Sequence, residues 1–156
     1  DMHTSWKSAN IRAVYQYRYD QDQKLSQLTL GMDGQISAQL NWLSEFYYSD
    51  QGYWGQKFED FDTSSFSWLR WTARTYALVG INQQSSPLIQ SSYYMLINTE
   101  DRSWILMTQQ SHSISDEGSL SLVYSRGFAG HDAREQAGGE FSYQKYSVLG
   151  TLEFYL

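Results

Sequence analysis

The sequence predicts an all-β fold: an antiparallel, up-and-down transmembrane β-barrel of about eight strands. Three observations lead there. Eight stretches alternate apolar and polar residues, and turn-rich segments separate them. Side chains on a strand alternate between two faces, so such stretches meet two different media. The last stretch shows it plainly. Tyr146, Val148, Gly150, Leu152, Phe154 and Leu156 share one parity, and Lys145, Ser147, Leu149, Thr151, Glu153 and Tyr155 share the other. An apolar, aromatic-rich face opposite a charged one suits a strand with lipid outside and a polar interior. Second, aromatic residues make up 17% of the chain, including 13 Tyr and 6 Trp. Aromatics favour strands, and Trp and Tyr favour the two membrane–water interfaces, where they form girdles. Third, no apolar run approaches the roughly 18 residues a spanning helix needs, and mean hydropathy is -0.56.

The strands follow in order. Asn10 to Tyr19 sets Ile11, Ala13, Tyr15, Tyr17 and Tyr19 against Arg12, Val14, Gln16 and Arg18. The second, Leu25 to Met32, carries Leu28, Leu30 and Met32 on its apolar side. Asp33-Gly34 then reads as a two-residue hairpin, because both residues tolerate positive φ. A third strand, Gln35 to Tyr48, aligns Ile36, Ala38, Leu40, Trp42, Phe46 and Tyr48, interrupted by Ser44. Its length exceeds the usual five or six residues and suits a tilted spanning strand. The longest connection is Ser49 to Ser65. Phe66 to Ile81 forms the fourth strand, with Arg70, Thr72, Arg74 and Tyr76 pointing inward. Asn82 to Pro87 is a turn, Leu88 to Asn98 the fifth strand, and Thr99 to Ser103 a short link. Trp104 to His112 and Ser119 to Phe128 follow, separated by a turn over Ser113 to Gly118. A polar loop from Gly130 to Gly139 leads into the closing strand, Glu140 to Leu156. Residues 1–156 read as one domain, with 1–9 a short lead-in.

An even-numbered up-and-down barrel leaves no exposed edge. Eight strands enclose an interior just wide enough for side chains. The polar parity fills it with Arg12, Arg18, Glu45, Arg70, Arg74, Lys145 and Glu153. Charges in such a place need partners. The expected network joins Glu45 to Arg70 or Arg74 and draws in Lys145 or Glu153.

Composition narrows the function. A net charge of -6 excludes a binder of the phosphate backbone of nucleic acids. The absence of cysteine removes disulfides and thiolate metal sites. The three histidines, His3, His112 and His131, have no metal-ligand spacing, and no cofactor motif is present. Glu59-Asp60-Phe61-Asp62 lacks a calcium-loop pattern and reads as a solvated acidic loop. The chain starts at Asp1 without an apolar leader, so an exported form is expected to have lost its signal peptide ahead of this residue.

The whole pattern, over about residues 10–156, resembles the small outer-membrane β-barrels of Gram-negative bacteria as a class. The resemblance rests on strand count, alternating parity, aromatic girdles and the apolar alternation of the last strand. It departs from that class at the end, where Leu156 stands in place of the usual terminal aromatic. It implies contact with outer-membrane lipid and lipopolysaccharide, and a structural or adhesive role, or service as the membrane partner of another component. Two enzymes of this class act on lipid A acyl chains, and their motifs are missing. His112 is followed two places on by Ile114 where the deacylase pattern has Ser, and the first outer link, Asp20 to Lys24, lacks the palmitoyltransferase His. Ser49-Asp50 and Asp62-Thr63-Ser64 are not in the order that the latter pattern requires. His131-Asp132 reads as a polar loop tip. Tyr53 and Trp54, in the longest connection, are the candidates for contact with a glycan or a protein partner, since aromatics give area at low entropic cost. One alternative is a soluble antiparallel sandwich or barrel that binds carbohydrate through Trp and Tyr; another is a small barrel enzyme acting on lipid A acyl chains, which requires the loop histidine, His131, to meet a nucleophile.

Overall fold

In the computed structural model, the described residues are 2–6, 9–20, 23–50, 52, 73–115, 118–130 and 139–154. They form one antiparallel sheet in which every strand pairs with its sequence neighbours, in the order β1 to β9. The strands are β1 Met2–Trp6, β2 Ala9–Asp20, β3 Gln23–Ser37, β4 Leu40–Ser49, β5 Thr75–Ser86, β6 Ile89–Asn98, β7 Trp104–Ser115, β8 Gly118–Phe128 and β9 Ser147–Phe154. The eight expected strands correspond to β2 to β9. The stretch read as a lead-in holds a further short strand, β1, on the open edge of β2. A 3-10 helix, Glu140–Tyr143, precedes β9.

The register keeps one parity on one face across the whole sheet. Ile11 lies opposite Met32, Leu30 opposite Phe46, Phe46 opposite Ala77, Val79 opposite Met95 and Leu120 opposite Leu152. This is the Leu30 face. The opposite, Arg12 face carries Arg12, Gly31, Glu45, Tyr76, Asn98, Ser125 and Glu153. Cross-strand apolar pairs of this kind contribute roughly 0.2–1 kcal/mol each.

That register corrects the expected turns. β3 runs through Asp33 and Gly34, which pair with Leu43 and Trp42. A two-residue turn at Asp33-Gly34 would pair Met32 with Gln35 and Leu30 with Ser37, mixing the apolar parity of β3 with the polar parity of β4. Because a one-residue slip exchanges the faces, the chain turns instead at Ala38-Gln39, with one extra residue, Ile36, between Gln35 and Ser37. The bulge restores parity, and Asp33 accepts a hydrogen bond from Asn10 Nδ2 at 3.0 Å. The same device recurs. β5 continues to Ser86, past the expected turn at Asn82, with a bulge between Gln84 and Ser86. β7 continues to Ser115 with a bulge between Ser113 and Ser115. Ser37 Oγ accepts the Gln39 N–H at 3.3 Å, and Ser86 Oγ accepts the Leu88 N–H at 3.2 Å. Serine hydroxyls bond locally two residues on in this way, which stabilises a turn over continued strand. At the other end, the closing strand starts at Ser147 rather than Glu140, because residues 140–143 coil into the 3-10 helix.

The strands are staggered in one direction. One line of paired residues runs Ala9, Gly34, Trp42, Ile81, Tyr93, Thr108, Tyr124, Val148. Measured from that line, β2 begins at Ala9 itself, β4 two residues beyond it at Leu40, β6 four beyond at Ile89 and β8 six beyond at Gly118. The sheet thus shears by two residues per hairpin.

The tightest packing lies on the Arg12 face, at the end bearing the β4–β5, β6–β7 and β8–β9 connections. Tyr76, Leu96, Ile105 and Phe141 are buried there, with Tyr47, Leu78 and Met107 against them.

Candidate functional site

Two polar constellations occupy the Arg12 face. The first is built on a strand triplet. Arg12 of β2 and Glu45 of β4 both pair with Gly31 of the strand between them. Gly31 has no side chain, so the two reach across it, and Arg12 Nη2 forms an ion pair with Glu45 Oε1. A Cβ on Gly31 would stand 3.3 Å from Arg12 Nε and 3.6 Å from Glu45 Cγ. The pair is half-exposed, so it contributes little more than a surface ion pair, about 1 kcal/mol. Gly31→Leu is expected to hold the two side chains apart and lower stability by about 1–2 kcal/mol, through the lost pair and the crowding. Chemical denaturation of that variant beside Glu45→Ala checks this: Gly31→Leu should cost at least as much.

This changes the expected pairing. β4 and β5 place Glu45 opposite Leu78, four residues from Arg74, or about 13 Å along a strand. Glu45 therefore meets Arg12, while Arg74 Nε donates to the Gly52 carbonyl at 3.0 Å. Glu153 lies on β9, on the same face as Arg12. Lys145 lies on no strand. It lines a depression of about 430 Å³ with Arg126, Tyr124 and Tyr146. Arg18 lies on β2, and its side chain is outside the described residues, as are Arg70, Tyr53, Trp54 and His131.

The second constellation is one that sequence reasoning missed. It ties the 3-10 helix to β5, β6 and the β6–β7 turn. Glu140 Oε2 accepts from the Tyr76 hydroxyl at 2.6 Å and from Asn98 Nδ2 at 3.1 Å. The Tyr76 oxygen in turn accepts the Ala73 N–H at 2.6 Å. Asp101 accepts the N–H of Glu140 at 2.7 Å through Oδ2 and that of Ser103 at 2.8 Å through Oδ1. Tyr76, Asn98 and Ser103 are almost wholly buried. Phe141 packs its ring 6.3 Å from that of Tyr76. The turn lies flat on β8 because Gly127 leaves room: a Cβ there would collide with the Phe141 carbonyl, and the Gly127 N–H donates to Gln144 O at 2.7 Å. Gly127→Val is expected to lift the 3-10 helix off the sheet, and limited proteolysis should then cut near residues 139–146 sooner than in the parent protein. Asp101 and Ser103 lie in the link Thr99 to Ser103, which was legible as a turn. Nothing in the strand-like alternation of residues 140–156 marked the helix.

The arrangement is a set of satisfied polar contacts. Among the described residues, no group of three or more His, Asp or Glu side chains is placed to hold a metal ion. His112 sits on the Leu30 face between Ile89 and Leu120. No family model, curated protein or solved structure matches the chain.

Proposed function

We propose that this chain is a membrane-spanning β-barrel of a Gram-negative outer membrane, with its Leu30 face against lipid and its Arg12 face turned inward. Its role is that of a non-catalytic scaffold, structural or adhesive, that holds its long connections outside the cell. One observation carries the reading: the Leu30 face bears exposed apolar side chains on all eight strands, interrupted by Ser44, Gln83, Ser91, Gln110 and His112, and nothing in the described chain covers it. Tyr15, Leu30, Phe46, Val79, Ile81, Tyr93, Leu120, Leu122, Leu152 and Phe154 are between 39% and 71% exposed on it. Moving each half-exposed side chain from water into hydrocarbon is worth about 1 kcal/mol. The sum, on the order of 10 kcal/mol, equals the net stability of a whole domain. A soluble protein has no reason to forgo it, because patches of this extent mark contact surfaces. The carbohydrate-binding sandwich, by contrast, would cover one apolar face with a second sheet.

Several features agree with this reading. The shear of two residues per hairpin, extended over eight strands, amounts to eight residues. That stagger with that strand number gives a closed barrel tilted by roughly 35°. The short turns at Ala38-Gln39 and Pro87-Leu88 share one end, and the long connections lie at the other. Outer-membrane barrels keep short turns on the periplasmic side and long loops outside. In this reading Trp104 and Phe128, stacked 3.8 Å apart, belong to the outer aromatic girdle. Arg126, folded over the Phe128 ring at 5.1 Å, and Lys145 meet the phosphate-bearing headgroups of lipopolysaccharide. Tyr53 and Trp54 are the proposed contact for a glycan or protein partner. The interior is filled at one level by Arg12 and Glu45 and at the loop end by the 3-10 helix, so it does not conduct.

The test is folding into detergent micelles and liposomes. A compact, heat-modifiable gel band and resistance to carbonate extraction are expected. A monomer that stays soluble without detergent overturns the reading. Orientation follows separately: a cysteine introduced at Trp54 or His131 should react with an impermeant maleimide on intact cells, whereas one at Gln39 should not. Planar-bilayer recording should show no stable open channel.

A further inference from the structure

All eight neighbouring pairs in the sheet are antiparallel. Odd-numbered strands therefore run one way and even-numbered strands the other. If the two present edges met, β9 would lie parallel to β1. If β9 met β2, the pair would be antiparallel like every other. The edge of β2 that β9 needs is held by β1, which is five residues long and pairs Met2 to Trp6 with Ala13 to Ala9.

We propose that the barrel closes by pairing β9 with β2, and that β1 occupies the β2 edge only until β9 displaces it. This rests on the barrel reading above and adds the identity and register of the seam. The stagger dictates the register. The line that leaves β2 at Ala9 reaches β9 at Val148, and a shear of eight residues returns it to β2 at Tyr17. Val148 then faces Tyr17, and the ladder continues antiparallel through Gly150 with Tyr15, Leu152 with Ala13 and Phe154 with Ile11. Every one of these residues is on the Leu30 parity, so the lipid face is continuous around the seam. A slip of one residue would exchange the faces. The aromatic ring of Tyr15 lies opposite Gly150, where nothing on the present sheet would meet an added Cβ; an aromatic opposite a strand glycine is a known way of covering such a gap.

The other parity gives the seam its chemistry. In this register Glu153 falls opposite Arg12. Arg12 already reaches Glu45 across Gly31 on its other side, and a guanidinium has five N–H donors in a planar fork, enough for two carboxylates. Closure therefore builds a Glu45–Arg12–Glu153 triad around the inside of the barrel. Leu149, 62% exposed on the Arg12 face at the open edge, is covered opposite Gln16. All eight residues of β9 find partners on β2, against the five of β1, so the exchange lengthens the hydrogen-bonded ladder.

The chain has no cysteine, so disulfide trapping has a clean background. Ala13→Cys/Leu152→Cys and, on the inner face, Val14→Cys/Thr151→Cys are folded into liposomes and oxidised. Both are expected to give an intramolecular disulfide in most molecules. The offset pairs Ala13→Cys/Gly150→Cys and Ala13→Cys/Phe154→Cys should give at least fivefold less. Thr4→Cys/Ile11→Cys, which reports β1 on β2, should fail to cross-link in the same membranes. Cross-linking of Thr4→Cys/Ile11→Cys in heat-modifiable protein, with neither β9 pair formed, overturns the seam and leaves the barrel standing. Disulfides formed between two chains overturn it in favour of pairing between copies. Efficient cross-linking at an offset pair overturns the register. Loss of heat-modifiability in the parent protein overturns the barrel reading and, with it, the seam.

Discussion

Ile81→Arg should abolish or strongly impair folding into lipid, while Gln109→Arg should not. Ile81 lies on the Leu30 face between Trp42 and Tyr93, five residues from the short-turn end of β5. At the tilt derived from the shear, that puts it about 12–14 Å above the short-turn rim, near the middle of an apolar band about 25 Å tall. An arginine at such a depth costs roughly 2–4 kcal/mol. Gln109 is an exposed residue of β7 on the opposite face, paired with Ser92 and Val123, and a cation there keeps polar company. The measurement is the folding free energy into liposomes by urea titration, with gel mobility as a second readout. Equal tolerance at the two positions would mean that the Leu30 face does not meet lipid. Leu40 and Gln39 would not make this contrast, because Gln39 lies in the turn and Leu40 is the first residue of β4.

The second large effect is expected at the 3-10 helix. Glu140→Ala removes the acceptor for the Tyr76 hydroxyl and for Asn98 Nδ2, leaving two donors on residues that are 2% and 0% exposed. An unsatisfied buried donor costs about 1–3 kcal/mol, so a loss of about 2–4 kcal/mol is expected. Glu140→Gln keeps an oxygen at the site and should recover at least half of it. Phe141→Ala tests the same contact through packing and should cost about 3–5 kcal/mol, since the ring is 5% exposed among Tyr76, Leu96 and Ile105. Denaturant midpoints of the three variants decide the matter. A change under about 0.5 kcal/mol for both Glu140→Ala and Phe141→Ala would mean that the helix does not dock on the sheet.

The places where sequence reasoning succeeded and failed share a physical logic. Alternation reports which side chains share a face, and that held: Ile11, Leu30, Phe46, Val79, Tyr93, Leu122 and Leu152 lie on one face as their parity required. Turn residues report only local backbone preference. Asp33-Gly34 is a good turn by that measure, yet a turn there would have crossed the two parities. The bulges at Ile36, Ser85 and Ile114 show where global parity overrode local propensity. The Arg12–Glu45 pair was half legible. Both residues were assigned to one face, but their meeting depended on Gly31 standing between them, which needs the register of three strands.

What the sequence determined by itself is the strand-rich antiparallel meander and the division of its residues into two faces. Both follow from a period-two pattern that each strand carries locally. What the tertiary structure alone decided is the positions of the turns, the partner of Glu45, the docking of residues 140–143 and the stagger of the strands. These are relations between segments distant in the chain. They are set by which register pairs apolar with apolar across the whole sheet, and no single stretch of sequence contains that information.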